Sequence, residues 1–249
     1  MTTGPLNPDR DTFGRRSRPA THSEAMIGVL HTAPAHCPEV DRLAREQGLA
    51  ARLVHVVDEG LLRTAIAEGT TAALTRRVGL HCQLAVNYGA QALLVTCSSL
   101  GLAVEHLRAE SPIPLLRIDE PMARQAVRTG RRVGVLATLG STLEPTEELL
   151  RRTAAQERRE VTVVPRLCPG AFEAWRAGDT ASHDQAVLDA LGDLAVQVDV
   201  VVLAQASMRR SLAGWAATAG SPPVLSSPES GVAQLATLTL ASPGEDRTG

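Results

Sequence analysis

Lysine is absent: all 25 residues counted as Lys+Arg in this 249-residue chain are arginine. An internal pyridoxal phosphate aldimine, a Schiff-base aldolase and a P-loop each need a lysine amine, so those three mechanisms are excluded. A concentrated basic face is missing too. The net charge is −2 with both signs spread along the chain, which argues against nucleic acid or a membrane surface as partner. No apolar run approaches the roughly 18 residues of a membrane span, and the N-terminal segment lacks the apolar core of a signal peptide. A cytoplasmic protein is therefore expected. There is no CxxC pair, and Cys37, Cys82, Cys97 and Cys168 lie far apart, which reads as reduced thiols and not as a disulfide framework. His36-Cys37 and His81-Cys82 would bind a metal only with ligands from elsewhere, and metal-site spacing is lacking. The sequence assigns neither metal nor cofactor.

What the chain does contain is a repeat, offset by 106 to 109 residues. Ile27-Gly28-Val29-Leu30-His31-Thr32 returns as Val133-Gly134-Val135-Leu136-Ala137-Thr138. Ala92-Leu93-Leu94-Val95-Thr96-Cys97-Ser98-Ser99-Leu100 returns as Val200-Val201-Val202-Leu203-Ala204-Gln205-Ala206-Ser207-Met208, which sets a thiol opposite an amide. Ile113-Pro114-Leu115-Leu116 returns as Pro222-Pro223-Val224-Leu225. Short apolar runs alternate with longer amphipathic stretches, the pattern of β-α-β units on a parallel sheet. Strands are expected at about 26–31, 52–57, 92–96, 114–118, 133–137, 160–165, 199–204 and 223–225, and helices at about 60–88, 100–109, 119–129, 142–157, 182–197, 208–219 and 228–240. The fold class is α/β, with two similar lobes. Residues 1–24 and 243–249 are poor in apolar side chains and read as disordered tails.

Ligands of open parallel sheets sit beyond the carboxyl ends of the strands. That selects the strand-exit segments His31-Thr32-Ala33-Pro34, Thr96-Cys97-Ser98-Ser99, Thr138-Leu139-Gly140-Ser141-Thr142 and Gln205-Ala206-Ser207. Hydroxyls and backbone amides there can hold a carboxylate, and the same Ser and Thr residues can equally be helix N-caps. Cys97 stands at a strand end and a helix start, where the dipole is expected to lower a thiol pKa from about 8.5 toward neutrality. The competing reading is a buried cysteine acting as a small apolar filler. His31 could supply an acid or base, Arg209 could pair with a carboxylate, and Cys168 is a weaker second thiol.

Val95-Thr96-Cys97-Ser98-Ser99, the Gly28-Val29-Leu30 strand with its Thr32 loop, Ala137-Thr138-Leu139-Gly140-Ser141-Thr142 and Ser227-Pro228-Glu229-Ser230-Gly231-Val232 together resemble the aspartate/glutamate racemase superfamily. That group includes amino-acid and hydantoin racemases, maleate isomerases and arylmalonate decarboxylases. The resemblance implies two Rossmann-like lobes with parallel sheets, related by pseudo-twofold symmetry, with the active site in the cleft between them. It places the first lobe at about 25–111 plus 222–242 and the second at about 112–221. It implies a cofactor-independent enzyme acting on a small carboxylate, and allows a homodimer.

Racemases of the group are similar in using one cysteine per lobe. Cys97 matches the first, but Gln205 stands where the second is expected, and an amide cannot exchange a proton at neutral pH. Ser98 replaces an Asn that often follows the first cysteine, and no His follows Gln205. Three chemistries stay open: one-sided proton transfer by Cys97, its covalent addition to an activated double bond, and decarboxylation with Cys97 protonating the enediolate. Ser98, Ser99, Thr138, Ser141 and Thr142 are the expected donors to the developing charge, with Thr32, Gln205 and Ser207 beside them. A catalytically retired carboxylate-binding protein is the alternative from another class.

Overall fold

The computed structural model describes residues 25–240. The expected tails lie outside the described residues. Eight strands form two parallel four-stranded sheets. The first contains β1 (Ala25–His31), β2 (Ala51–Val57), β3 (Ala92–Val95) and β4 (Leu115–Arg117) in the order β2-β1-β3-β4. The second contains β5 (Arg132–Ala137), β6 (Thr162–Leu167), β7 (Val200–Leu203) and β8 (Val224–Ser226) in the order β6-β5-β7-β8. The orders are identical once the numbers are shifted, so the sequence repeat is a repeat of topology.

The central strands are apolar throughout because helices cover both of their faces. On the first sheet, one face is covered by α2 (Glu59–Glu68), α3 (Ala72–Asn87) and α4 (Gly101–Arg108), whose Leu61, Val78 and Val104 pack with Leu30, Leu93 and Val95. The other takes α1 (Cys37–Glu46) and α9 (Ser227–Leu240), whose Val40, Leu43, Val232 and Leu235 meet Ile27, Val29 and Leu94. The second sheet is sandwiched between α5 (Glu120–Thr129) with α6 (Gly140–Gln156) on one side and α7 (Ala171–Arg176) with α8 (Thr180–Ala195) on the other. The glycine shared by the two central strands has one cause in both lobes. A Cβ on Gly28 would stand 3.0 Å from Leu93, and one on Gly134 would stand 2.9 Å from Leu194. In the second lobe the closely approaching residue belongs to the covering helix itself.

Strand pairing moves both expected lobe boundaries. Residue 112 was expected to begin the second lobe, yet β4 pairs with β3 in the first sheet. Residues 222 onward were expected in the first lobe, yet β8 pairs with β7 in the second. The chain crosses only after each of these strands, so that α5 and α9 each cover the sheet opposite the one they follow. Pro114 and Pro222-Pro223 had marked element starts, and those starts are edge strands that complete the sheet already begun.

Several helices also differ from expectation. The segment 60–88 is two helices, because Gly69 turns at φ 68° and the Thr71 hydroxyl accepts from the Leu74 amide at 3.2 Å to start the next. Helix α1 went unseen because its buried stripe is only Val40, Leu43 and Ala44 among charged residues. Six-residue α7 is too short to show a period, and 206–214 is a 3-10 helix where an α-helix was expected over 208–219. No helix among the described residues is long and apolar enough to cross a membrane.

Candidate active site

The carboxyl ends of the central strands of both sheets open onto one cleft of about 100 Å3. The first lobe contributes Thr32 and His36 from the segment after β1, and Thr96, Cys97, Ser98 and Ser99 from the segment after β3. The second contributes Leu139, Thr142, Gln205, Ala206, Ser207, Phe172 and Trp175. No Arg, Asp or Glu among the described residues lines it.

Cys97 caps a single 3-10 turn, Ser98–Leu100, ahead of α4. The thiol is half-buried at the cleft wall. Burial pushes its pKa up, against the smaller opposing pull of the nearby Thr32 and Ser99 hydroxyls and the Ser99 and Leu100 amides. This reverses the lowered pKa expected from sequence. One 3-10 turn supplies a weak dipole, and the neutral, apolar surroundings disfavour the thiolate more than four donors favour it. The resting group is a thiol. Iodoacetamide labelling of Cys97 is therefore expected to be slower at neutral pH than for free cysteine and to keep rising through and beyond the ordinary thiol range. A rate that has already levelled off near neutrality would contradict this.

Gln205 occupies the pseudo-equivalent place in the second lobe. Its Oε1 accepts from the Thr138 amide at 2.7 Å and the Thr138 hydroxyl at 3.0 Å. An amide N–H must meet an acceptor, so this contact fixes the side chain's orientation, and the donor end, Nε2, is what remains for the cleft. The duplicated unit thus sets a threonine beside the facing residue in each lobe: the Thr32 hydroxyl pulls the Cys97 thiol pKa down, and Thr138 donates to the Gln205 oxygen. Thr138 acts behind the cleft wall and does not line it.

Ser99 hydrogen-bonds Thr142 across the lobes at 3.1 Å, both side chains buried. Ser98 donates to the buried Asp119 carboxylate. Burial alone would raise Asp119, but the Arg117 guanidinium and the Ser98 hydroxyl hold its carboxyl below the usual range. Arg117 is itself buried and forks onto Asp119 at 2.9 and 2.8 Å. This pair braces the Cys97 loop from beneath, and the sequence reading passed over it.

Ser141 lies elsewhere: its buried Oγ has no hydrogen-bond partner, and the residue lines a separate hollow with Gly140 and Glu144. His31, expected as a spare acid or base, is fully buried and turned away, with burial and then the neighbouring His55 holding it down to about 3. Arg209 is engaged by Glu229 and by Glu39 at 3.7 Å, so it is no free carboxylate partner. Cys168 is core, its thiol pushed by burial to about 11. Phe172, Trp175 and His36 were missed. Trp175 is fixed by Arg210 over its ring, 6.0 Å from the centroid, and by a tilted contact with His183 at 5.1 Å. The signal that could have found the aromatics was scarcity: the chain has only five aromatic residues of the Phe, Trp and Tyr types, and these two fall within five positions after a Cys-Pro-Gly turn.

A profile of the Asp/Glu/Hydantoin racemase family matches residues 67–235. The chain belongs to this family. Ahead of the matched span of this racemase-family chain, β1 and β2 belong to the same first sheet. Its fold is similar to that of a glutamate racemase from Bacillus anthracis, at 20% identity with 88% of this chain and 83% of that chain covered and a TM-score of 0.66. An aspartate racemase from Picrophilus torridus aligns at 14% identity, over 89% of this chain and 96% of that one, with a TM-score of 0.64. An allantoin racemase from Klebsiella pneumoniae aligns at 15% identity, over 90% and 91%, with a TM-score of 0.59. Comparison with curated protein sequences found no match.

Proposed function

We propose that this racemase-family protein is a cofactor-independent isomerase that exchanges a proton at a carbon next to a carboxylate or an equivalent acyl group, with Cys97 as the exchanging group. One observation carries this reading. The titratable side chains lining the cleft, Cys97 and His36, both come from the first lobe, while the second lobe faces them with an amide, hydroxyls and aromatic rings. A planar enolate in such a cleft meets a thiol on one face and neutral donors on the other. Thr32, Ser98, Ser99, Thr142, Ser207 and the Gln205 amide are the groups available to hold its oxygens, and preorganised donors of this kind act most strongly where water is excluded.

The lining also defines the substrate class. With no guanidinium among the described residues that line the cleft, two carboxylates would go unneutralised, whereas a single carboxylate or a cyclic ureide needs only hydroxyls and amides. Phe172 and Trp175 suit an apolar or aromatic substituent. The allantoin racemase among the structural neighbours acts on a cyclic ureide, which is in keeping with this class. The test is solvent exchange: 2-aryl carboxylates and 5-substituted hydantoins incubated in D2O, with loss of the α-proton signal followed by NMR. Absence of exchange on every such compound would overturn the proposal.

The raised thiol pKa favours a second reading on the same groups. A resting thiol is suited to donate a proton, so a 2-substituted malonate losing carbon dioxide would leave an enediolate that Cys97 protonates from one face. Release of carbon dioxide with a single enantiomer of the monoacid distinguishes this outcome from exchange.

A further inference from the structure

Away from the cleft lining, β1, β2 and α1 bring His31, His55 and Cys37 together. A ring nitrogen of each histidine and the Cys37 sulfur all lie within 4.8 Å of one another. The inner nitrogens, Nε2 of His31 and Nδ1 of His55, are 2.8 Å apart, with the rings stacked at 5.0 Å. Both outer nitrogens are tied. His31 Nδ1 shares a hydrogen bond of 3.0 Å with the Thr96 hydroxyl, which also reaches the Leu30 carbonyl at 3.2 Å. The Asp41 carboxylate accepts from His55 Nε2 at 3.0 Å. Both outer contacts hold the imidazoles in place, with the inner nitrogens facing each other close to the Cys37 thiol. Two ring nitrogens 2.8 Å apart hold between them either a hydrogen-bonding proton or a cation.

The scaffold does not require these residues. Val29 of β1 pairs with His55, and its repeat equivalent Val135 pairs with Pro165. His31 is likewise matched by Ala137 in the second lobe. The cluster is present in one half of a duplicated fold whose other half forms without it.

We propose that His31, His55 and Cys37 form a binding site for one borderline-soft divalent cation of the zinc type, with Asp41 and Thr96 orienting the two imidazoles. A thiolate and two imidazoles are the donor set that such a cation selects, and a carboxylate on the far nitrogen of a ligating histidine is a recurrent support. Tetrahedral bonds of about 2.0–2.1 Å place two nitrogens roughly 3.3 Å apart, so the pair opens slightly on binding. β2 is an edge strand, and Cys37 and His55 are only half-buried, so both that movement and entry from solvent are open. Thr32 follows His31 and His36 precedes Cys37. Ligation would therefore pin the 31–37 segment, which forms part of one cleft wall.

Chelator-treated protein titrated with zinc chloride in competition with a chromogenic chelator should take up one zinc per chain with submicromolar affinity. Cys37→Ser and His55→Gln should each weaken binding by about 100-fold or more, and Asp41→Asn by roughly 10- to 100-fold. Cobalt loading should give a thiolate charge-transfer band that disappears in Cys37→Ser and survives in Cys97→Ser. Thermal melts of the chelator-treated variants check that each is folded, and zinc should raise the melting temperature of the unsubstituted chain but not of His55→Gln. Equal zinc affinity in the unsubstituted chain and Cys37→Ser, or a cobalt band lost through Cys97→Ser alone, would overturn the proposal.

Discussion

Replacing Cys97 by serine is expected to reduce α-proton exchange by about 10^2- to 10^4-fold, the range over which a positioned proton-transfer group contributes. Serine is close in shape, but its hydroxyl holds its proton far too tightly to give it to a carbanion or to stand as the base that takes one from carbon. Binding should change little, because the groups offered to the carboxylate are hydroxyls and amides that the substitution leaves in place. The expected signature is a fall in kcat with KM nearly constant, read from exchange rates in D2O across a substrate titration. Parallel losses in kcat and in affinity would mean that Cys97 shapes the cleft and does not carry the proton. A Gln205→Leu variant makes the complementary case. Thr138 would lose its acceptor and the cleft its Nε2 donor, so both terms should suffer.

Removing the carboxylate beneath the loop should cost the most stability. Asp119→Ala leaves the Arg117 guanidinium buried without its fork partner, Glu105 at 3.3 Å being the other carboxylate in reach, and breaking a buried pair in this way costs about 3–5 kcal/mol. Urea unfolding of the variant should show the lower midpoint with an unchanged slope. The sign of the pH dependence follows from the depressed carboxyl of Asp119. The stabilisation is complete above the unfolded carboxylate pKa of about 3.9 and is lost as pH falls below it, toward the lower folded value. The gap between Asp119→Ala and the unsubstituted chain should therefore narrow only in acid. A double variant, Arg117→Met with Asp119→Leu, removes both charges and should recover much of the loss; failure to recover it would assign the pair a packing role beyond charge.

Strand positions were readable because a parallel strand covered on both faces is a continuous apolar run, and repetition of the Gly-Val-Leu and four-residue aliphatic runs fixed their order. Cys97, Gln205, Ser99, Thr142, Thr32 and Ser207 could be grouped because they follow such strands, and parallel strands all exit at the same end. The separation of Ser141 from Thr142 was not readable. Both are hydroxyl residues at the start of one helix, and which points into the cleft depends on a rotation of about 100° per residue that begins at an unpredictable first residue. Arg117 and Asp119 look like any charged pair at an element boundary, and only tertiary packing reveals that both are enclosed. The depth of Cys97 in neutral surroundings, which reverses the expected direction of its pKa, is likewise a property of elements distant in sequence.

The reciprocal placement of α5 and α9 has a consequence for origin and for dissection. Each repeat finishes its own sheet and then lends its final helix to the other, so a solitary ancestral unit would have had a half-covered sheet face and an orphan helix. Two such units trading helices would make a swapped pair, and joining them end to end would preserve every contact. A present-day half expressed alone, cut between β4 and α5, should accordingly be insoluble or self-associating, and co-expression of both halves should reconstitute the bilobed body.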